Sequence, residues 1–154
     1  MGDLNSLIRH TGKWKGVYRL WLSPSEAAHE SETTASITPL IGGKFARIDY
    51  TWAADGEPQA GSLLFGYEAK AALATAVWID SWHMGDKFMI SQGTLEGEKA
   101  VVVRGSYAVE SGPDWGWRTV IESGEVDSFR VVMYNVSPDG QEALAVAATY
   151  TRAQ

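Results

Sequence analysis

The chain contains no cysteine. Disulfide frameworks, thiolate metal sites and cysteine nucleophiles are therefore excluded. No apolar run reaches the roughly 18 residues that a membrane-crossing helix needs. Basic residues are in deficit: 13 Lys and Arg against 19 Asp and Glu leave a net charge of −6, without charge blocks. Phosphate backbones are bound by basic stripes, so a nucleic-acid partner is not expected. The start, MGDLNSLIRHTGKW, has no basic stretch followed by an apolar one, so no secretory signal is expected and a cytoplasmic location is. Histidine is scarce as well. His10, His29 and His83 have neither the i, i+2 nor the i, i+4 spacing of a familiar zinc motif, so no metal site is expected. G-x-S-x-G and the glycine-rich phosphate loops are missing, and with them the common nucleophile and nucleotide signatures.

What remains is an apolar, aromatic chain of 154 residues, 45% hydrophobic and 11% Phe, Trp or Tyr. That length suits one domain, 1–154, with a sizeable core. Leu4, Leu7 and Ile8 fall at helical spacing behind Asp3, which predicts a short N-terminal helix. Beyond it, runs rich in Val, Ile, Thr and aromatics recur between Gly, Pro and Asp punctuation. They predict strands over Lys13–Leu22, Glu30–Leu40, Lys44–Ala53, Gln59–Tyr67, Ala72–Trp82, Lys87–Leu95, Lys99–Tyr107, Trp115–Ser123, Ser128–Val136 and Glu142–Arg152. Ser23-Pro24-Ser25-Glu26 reads as a capped turn, and Asp55-Gly56-Glu57-Pro58 as a strong one. About ten sequential strands joined by hairpin-length links must manage their edges. An all-β, closed antiparallel up-and-down β-barrel does so, with a two-sheet sandwich as the competitor. A barrel of this size holds room for one small ligand.

Alternation assigns faces. In the first strand, Trp14, Gly16, Tyr18, Leu20 and Leu22 form the expected buried face. In the segment 72–82 both faces are apolar, and Asp80 lies between Trp78 and Trp82 on one of them. A carboxylate there is costly to bury unless paired, with Arg118 and Arg47 as candidate partners. Trp115 and Trp117 share a face with Thr119 and Ile121, against Arg118 and Glu122. Each of these sets also has a plain structural reading, as barrel packing or as solvated ion pairs.

Gly12-Lys13-Trp14 resembles the Gly-x-Trp signature of lipocalin-type (calycin) barrels, in which a Trp of the first strand plugs the closed end. The series continues with Leu40-Ile41-Gly42-Gly43-Lys44-Phe45, Phe65-Gly66-Tyr67-Glu68, Trp78-Ile79-Asp80 and Ser91-Gln92-Gly93-Thr94. Together they resemble a bacterial lipocalin-like (calycin) family of unknown function, patterned G-x-W, L-G-G-x-F, G-Y-[DE], W-I-D and S-x-G-T, over essentially the whole chain. Glu68 stands where that family tends to have Asp, and Ala69–Ala74 is unusually Ala-rich. The resemblance implies a cavity of the calycin kind, usually used for small apolar ligands, and no established activity.

The expected function is binding of a small apolar molecule in the barrel cavity. Trp14 and Tyr18 are expected to floor it, Trp78, Trp82 and Trp117 to line it, and Asp80 and Arg118 to supply the polar contact. Two other classes stay open. One is a small enzyme working by acid–base chemistry from Asp80, His83 and Glu122. The other is an interaction module, a homodimer burying an outer face that carries Trp21. A haem needs only one axial His, and only His83 lies near the aromatic cluster; the reading is against it, and no cofactor is expected.

Overall fold

The computed structural model describes residues 3–153. After a one-turn helix, α1 (Asn5–Ile8), the chain forms ten strands: β1 (Gly12–Leu20), β2 (His29–Leu40), β3 (Phe45–Ala54), β4 (Glu57–Glu68), β5 (Leu73–Asp80), β6 (Met89–Glu96), β7 (Ala100–Tyr107), β8 (Trp115–Glu122), β9 (Ser128–Val136) and β10 (Glu142–Arg152). Each pairs antiparallel with the next, and β10 returns to β1 with Trp14 opposite Arg152 and Leu20 opposite Val146. The sheet is thus the expected closed up-and-down barrel, with no edge strand left unpaired.

Local chemistry sets the corners. Asp55 and Gly56 both take positive φ, 48° and 80°, in a two-residue turn that brings Ala54 opposite Glu57. This is the primed turn geometry that matches strand twist. The strand therefore resumes at Glu57, earlier than the sequence reading placed it, and Pro58 lies in the ladder opposite Ala53. Asp3 accepts the Asn5 backbone N–H at 3.0 Å and starts α1.

The two ends of the barrel differ. At the floor, Leu4 and Leu7 are buried beneath the strands, and His10 is fully buried, its ring nitrogens 2.7 Å from the Ser6 carbonyl and 2.5 Å from that of Glu125. Trp14 donates its indole N–H to the His10 carbonyl at 2.9 Å, and the Arg152 guanidinium covers its ring at 4.3 Å. Phe129 meets Trp14 edge-on at 4.9 Å and stacks on Tyr150 at 4.5 Å. Burial pushes the Tyr150 phenol up to about 12, and its hydroxyl is bonded to Thr33 at 2.9 Å. The lower half is therefore filled by the protein's own aromatic rings. The other end, where the β1–β2, β5–β6 and β7–β8 connections gather, carries the open space.

Candidate functional site: a cup at the barrel mouth

Strand alternation carries Tyr18 of β1, Tyr50 and Trp52 of β3, Trp78 and Asp80 of β5 and Trp117 of β8 to the inside of the upper barrel. Asp80 ends β5, and it is 2% exposed. Its Oδ1 accepts the backbone N–H groups of Trp82 at 2.8 Å and His83 at 2.9 Å. Its Oδ2 accepts the Tyr50 hydroxyl at 2.6 Å and the Trp52 indole N–H at 3.2 Å. The Trp78 indole in turn donates to the Tyr50 oxygen at 2.8 Å. Four donors satisfy a buried carboxylate that has no cation beside it, which removes the usual objection to burying one. Gly61 makes room for this hub, since a Cβ there would lie 2.2 Å from the Tyr50 oxygen.

The Asp80 carboxylate thus shapes the turn after β5 and folds His83 back over the barrel. His83 Nε2 is 3.2 Å from the Tyr18 hydroxyl. Its ring packs among Trp52, Trp78, Trp82 and Trp117 at centroid distances of 5.5, 5.3, 4.8 and 5.6 Å. Burial lowers the His83 pKa from its ordinary 6.5, partly opposed by the charge of Asp80. Burial, with Asp80 adding to it, raises the Tyr18 and Tyr50 phenols well beyond the ordinary tyrosine range, so both hydroxyls keep their protons.

Above this layer opens a cavity of about 570 Å³, walled by Trp78, Trp82, Met84, Phe88, Met89 and Trp117, with His83, Lys87, Ser106 and Tyr107 as its polar groups. Trp78 and Trp117 stack at 5.4 Å and form one wall. The Trp117 indole N–H is buried and has no hydrogen-bond partner. Trp82, His83 and Trp117 also form a partition from a smaller cavity of about 190 Å³ that reaches towards Trp21 and Leu22.

Residues 5–152 match the model of a family described as a protein of unknown function, DUF1579. The chain belongs to the DUF1579 family. A comparison with the curated proteins finds no match. Among solved structures, this DUF1579 barrel is similar to Rv2717c from M. tuberculosis, with a TM-score of 0.64 and 14% identity over 98% of this chain and 97% of that one. At that identity the likeness speaks to the fold alone.

The DUF1579 barrel brings together five of the seven residues singled out from sequence. Tyr18, Trp78, Asp80, Trp82 and Trp117 gather at the mouth. Trp14 does not reach the cup: it lies at the opposite end, under Phe129 and Tyr150. Arg118 corrects the expectation of a polar contact in the cavity. It points outwards from β8, where Glu142 holds it by two bonds of 2.8 and 2.7 Å and Tyr134 lies 4.1 Å beneath it. Those bonds raise the Arg118 pKa and lower that of Glu142. Arg47, the other partner considered for Asp80, pairs with Asp49 at 2.9 Å on the outer face. Glu122 is outside too, 3.1 Å from Arg130, so it cannot work with Asp80 and His83. The physical reason is one of alternation: inward Trp117, Thr119 and Ile121 force Arg118 and Glu122 outwards. Sequence reading missed Tyr50 and Trp52. Their signal was present in Ala46, Ile48, Tyr50 and Trp52, which alternate on one face of β3.

Proposed function

We propose that this DUF1579 protein binds a small, largely apolar molecule in the cup at the barrel mouth. One observation carries the reading: the barrel mouth encloses a space of about 570 Å³ walled by aromatic and methionine side chains. An apolar pocket with few polar groups is what small-molecule sites share. The lipocalin-like resemblance points the same way. The enzyme reading has less to draw on, because the Asp80 oxygens are already engaged by four donors and Glu122 is outside.

The test is a titration with N-phenyl-1-naphthylamine, a neutral apolar dye, followed by tryptophan quenching and melting temperature. Saturable one-to-one binding with a rise in melting temperature is expected, as for any ligand that prefers the folded state. Weakening by Met89→Lys, placed in the cup wall, is expected as well. Binding that never saturates, or that Met89→Lys leaves intact in a folded variant, removes the cup as the site.

A second reading, a homodimer, draws on the outer face of β4–β6. There Leu64, Val77 and Ile90 are register neighbours across three strands, and Ile79 extends the patch at 50% exposure. Contiguous exposed apolar area of this kind marks interaction sites. Sedimentation equilibrium tests it: mass that rises with concentration and returns to the monomer value in Ile79→Lys supports the dimer, and a monomer at all concentrations removes it.

A further inference from the structure

We infer that the barrel mouth carries a redox site. Trp82 gives up an electron to a one-electron oxidant at the surface, Trp52 relays the electron hole inwards, and Tyr18 holds it as a neutral radical after passing its proton to His83. The co-reactant is a small radical species or another one-electron oxidant, and the site does not depend on a ligand in the cup. The inference starts from a continuous path of rings. Trp82 is 43% exposed, so an oxidant reaches it from solvent. Its ring meets Trp52 edge-on at 5.7 Å. Trp52 in turn stacks on Tyr18 at 4.4 Å, with the two planes 13° apart. Trp52 and Tyr18 are both buried, so the inner end of the path is shielded from the oxidant and from water.

The chemistry at Tyr18 decides where the path ends. A phenol gives up an electron readily only when its proton leaves with it, so a redox-active tyrosine needs a base at its hydroxyl. Of the six tyrosines, Tyr18 alone has an imidazole there among the described residues. His83 Nε2 lies 3.2 Å away, within reach for proton transfer. The Tyr50 hydroxyl instead meets the Asp80 carboxylate, which three other donors already hold in its charged form. Tyr107 meets the Asn135 amide oxygen and Tyr150 the Thr33 hydroxyl, neither of them a base at neutral pH. The Tyr18 hydroxyl has no second partner among the described residues, so it donates to Nε2 and the neutral imidazole carries its own proton on Nδ1. Burial keeps His83 in that neutral form, with the Nε2 lone pair free. The step balances. The electron passes from Tyr18 to the Trp52 cation radical, the phenol O–H breaks, and an N–H forms at His83 Nε2. A restored Trp52, a neutral tyrosyl radical and an imidazolium result, and the external oxidant has taken up the electron. The charge of Asp80 favours the imidazolium. His83 also lines both mouth cavities, through which the extra proton reaches solvent.

Flash-quench oxidation with photogenerated tris(bipyridine)ruthenium(III), followed by electron paramagnetic resonance of frozen samples at neutral pH, tests the site. The wild type is expected to show a neutral tyrosyl radical. Tyr18→Phe is expected to lose that signal and to show a tryptophanyl radical in its place. Trp82→Leu, at an exposed position, is expected to lower the tyrosyl yield. His83→Gln, which has no basic nitrogen, is expected to lose the tyrosyl signal, keep the tryptophanyl one and abolish the solvent deuterium effect on its rate of formation. Circular dichroism checks that each variant is folded, and if Tyr18→Phe is not, His83→Gln decides. A tyrosyl signal that persists in Tyr18→Phe, a yield that His83→Gln leaves intact, or a wild type that shows tryptophanyl radicals alone overturns the redox site.

Discussion

At the scale of single residues, Asp80 explains more of the mouth than any other side chain. It takes two backbone donors with one oxygen and two aromatic donors with the other, so it fixes both the turn after β5 and the rings of Tyr50 and Trp52. Asp80→Asn keeps the size and presents an NH₂ group to one pair of donors. Two buried donors then lose their acceptor, each worth about 1–3 kcal/mol. We expect urea denaturation to show a loss of about 3 kcal/mol and the cup to lose its ligand with it. A loss below about 1 kcal/mol means that the network does not hold the turn. Tyr50→Phe removes the acceptor of Trp78 and one donor to Asp80. It is expected to cost about 2 kcal/mol in the same experiment, and its effect is not additive with that of Asp80→Asn because the two residues share a bond.

At the scale of elements, the closing seam between β1 and β10 depends on Gly16. A Cβ there would lie 1.7 Å from the Thr149 carbonyl oxygen, which belongs to the backbone of the opposite strand and cannot swing away. Gly16→Ala must push the seam apart, and overpacking of this kind is worth about 3 kcal/mol. A melting temperature unchanged from the wild type in this variant contradicts the close approach. Strand identity was legible because turn residues and period-2 alternation agree along most of the chain: β9 and β10 fall where the sequence places them, and the other strands differ by a few residues at their ends. The largest differences have local causes. The segment 72–82 reads as one strand to Trp82, but β5 stops at Asp80: the Ser81 N–H still reaches the Ala60 carbonyl, and the Asp80 carboxylate then captures the N–H groups of Trp82 and His83. The segment starting at Lys87 reads as strand two residues too early, since the Lys87 N–H is used by the Met84 carbonyl in the turn. Alternation separates Arg118 and Glu122 from Trp117, yet the sequence reading places Arg118 in the cavity beside Trp117, and the structure puts it outside on Glu142. Which of the two faces points inwards is decided by closure, a long-range property, so the pairing of Arg118 with Glu142 across β9 could not be read from either strand.

At the scale of the whole molecule, the barrel divides its labour between its ends. The floor is closed by the N-terminal segment and filled by Trp14, Phe129 and Tyr150, with His10 and the Trp14 indole tied to backbone carbonyls. The mouth leaves space, and there the titratable groups face one another: His83 is met by Asp80 and Tyr18 from below and shares the cup with Lys87. This arrangement has a definite pH dependence. The folded state holds His83 below its ordinary pKa of 6.5, chiefly through burial, so the unfolded chain takes up that proton first as pH falls. Stability attributable to His83 is therefore complete above pH 6.5 and is lost as pH falls from 6.5 towards the folded value. Melting temperature measured between pH 8 and pH 5 is expected to stay level and then decline on the acid side, and His83→Gln is expected to decline less over the same interval. If the variant and the wild type fall in parallel, His83 is not held neutral in the folded barrel. The partition between the two mouth cavities is then not the desolvated layer that Trp52, Trp78, Trp82 and Trp117 build around the imidazole.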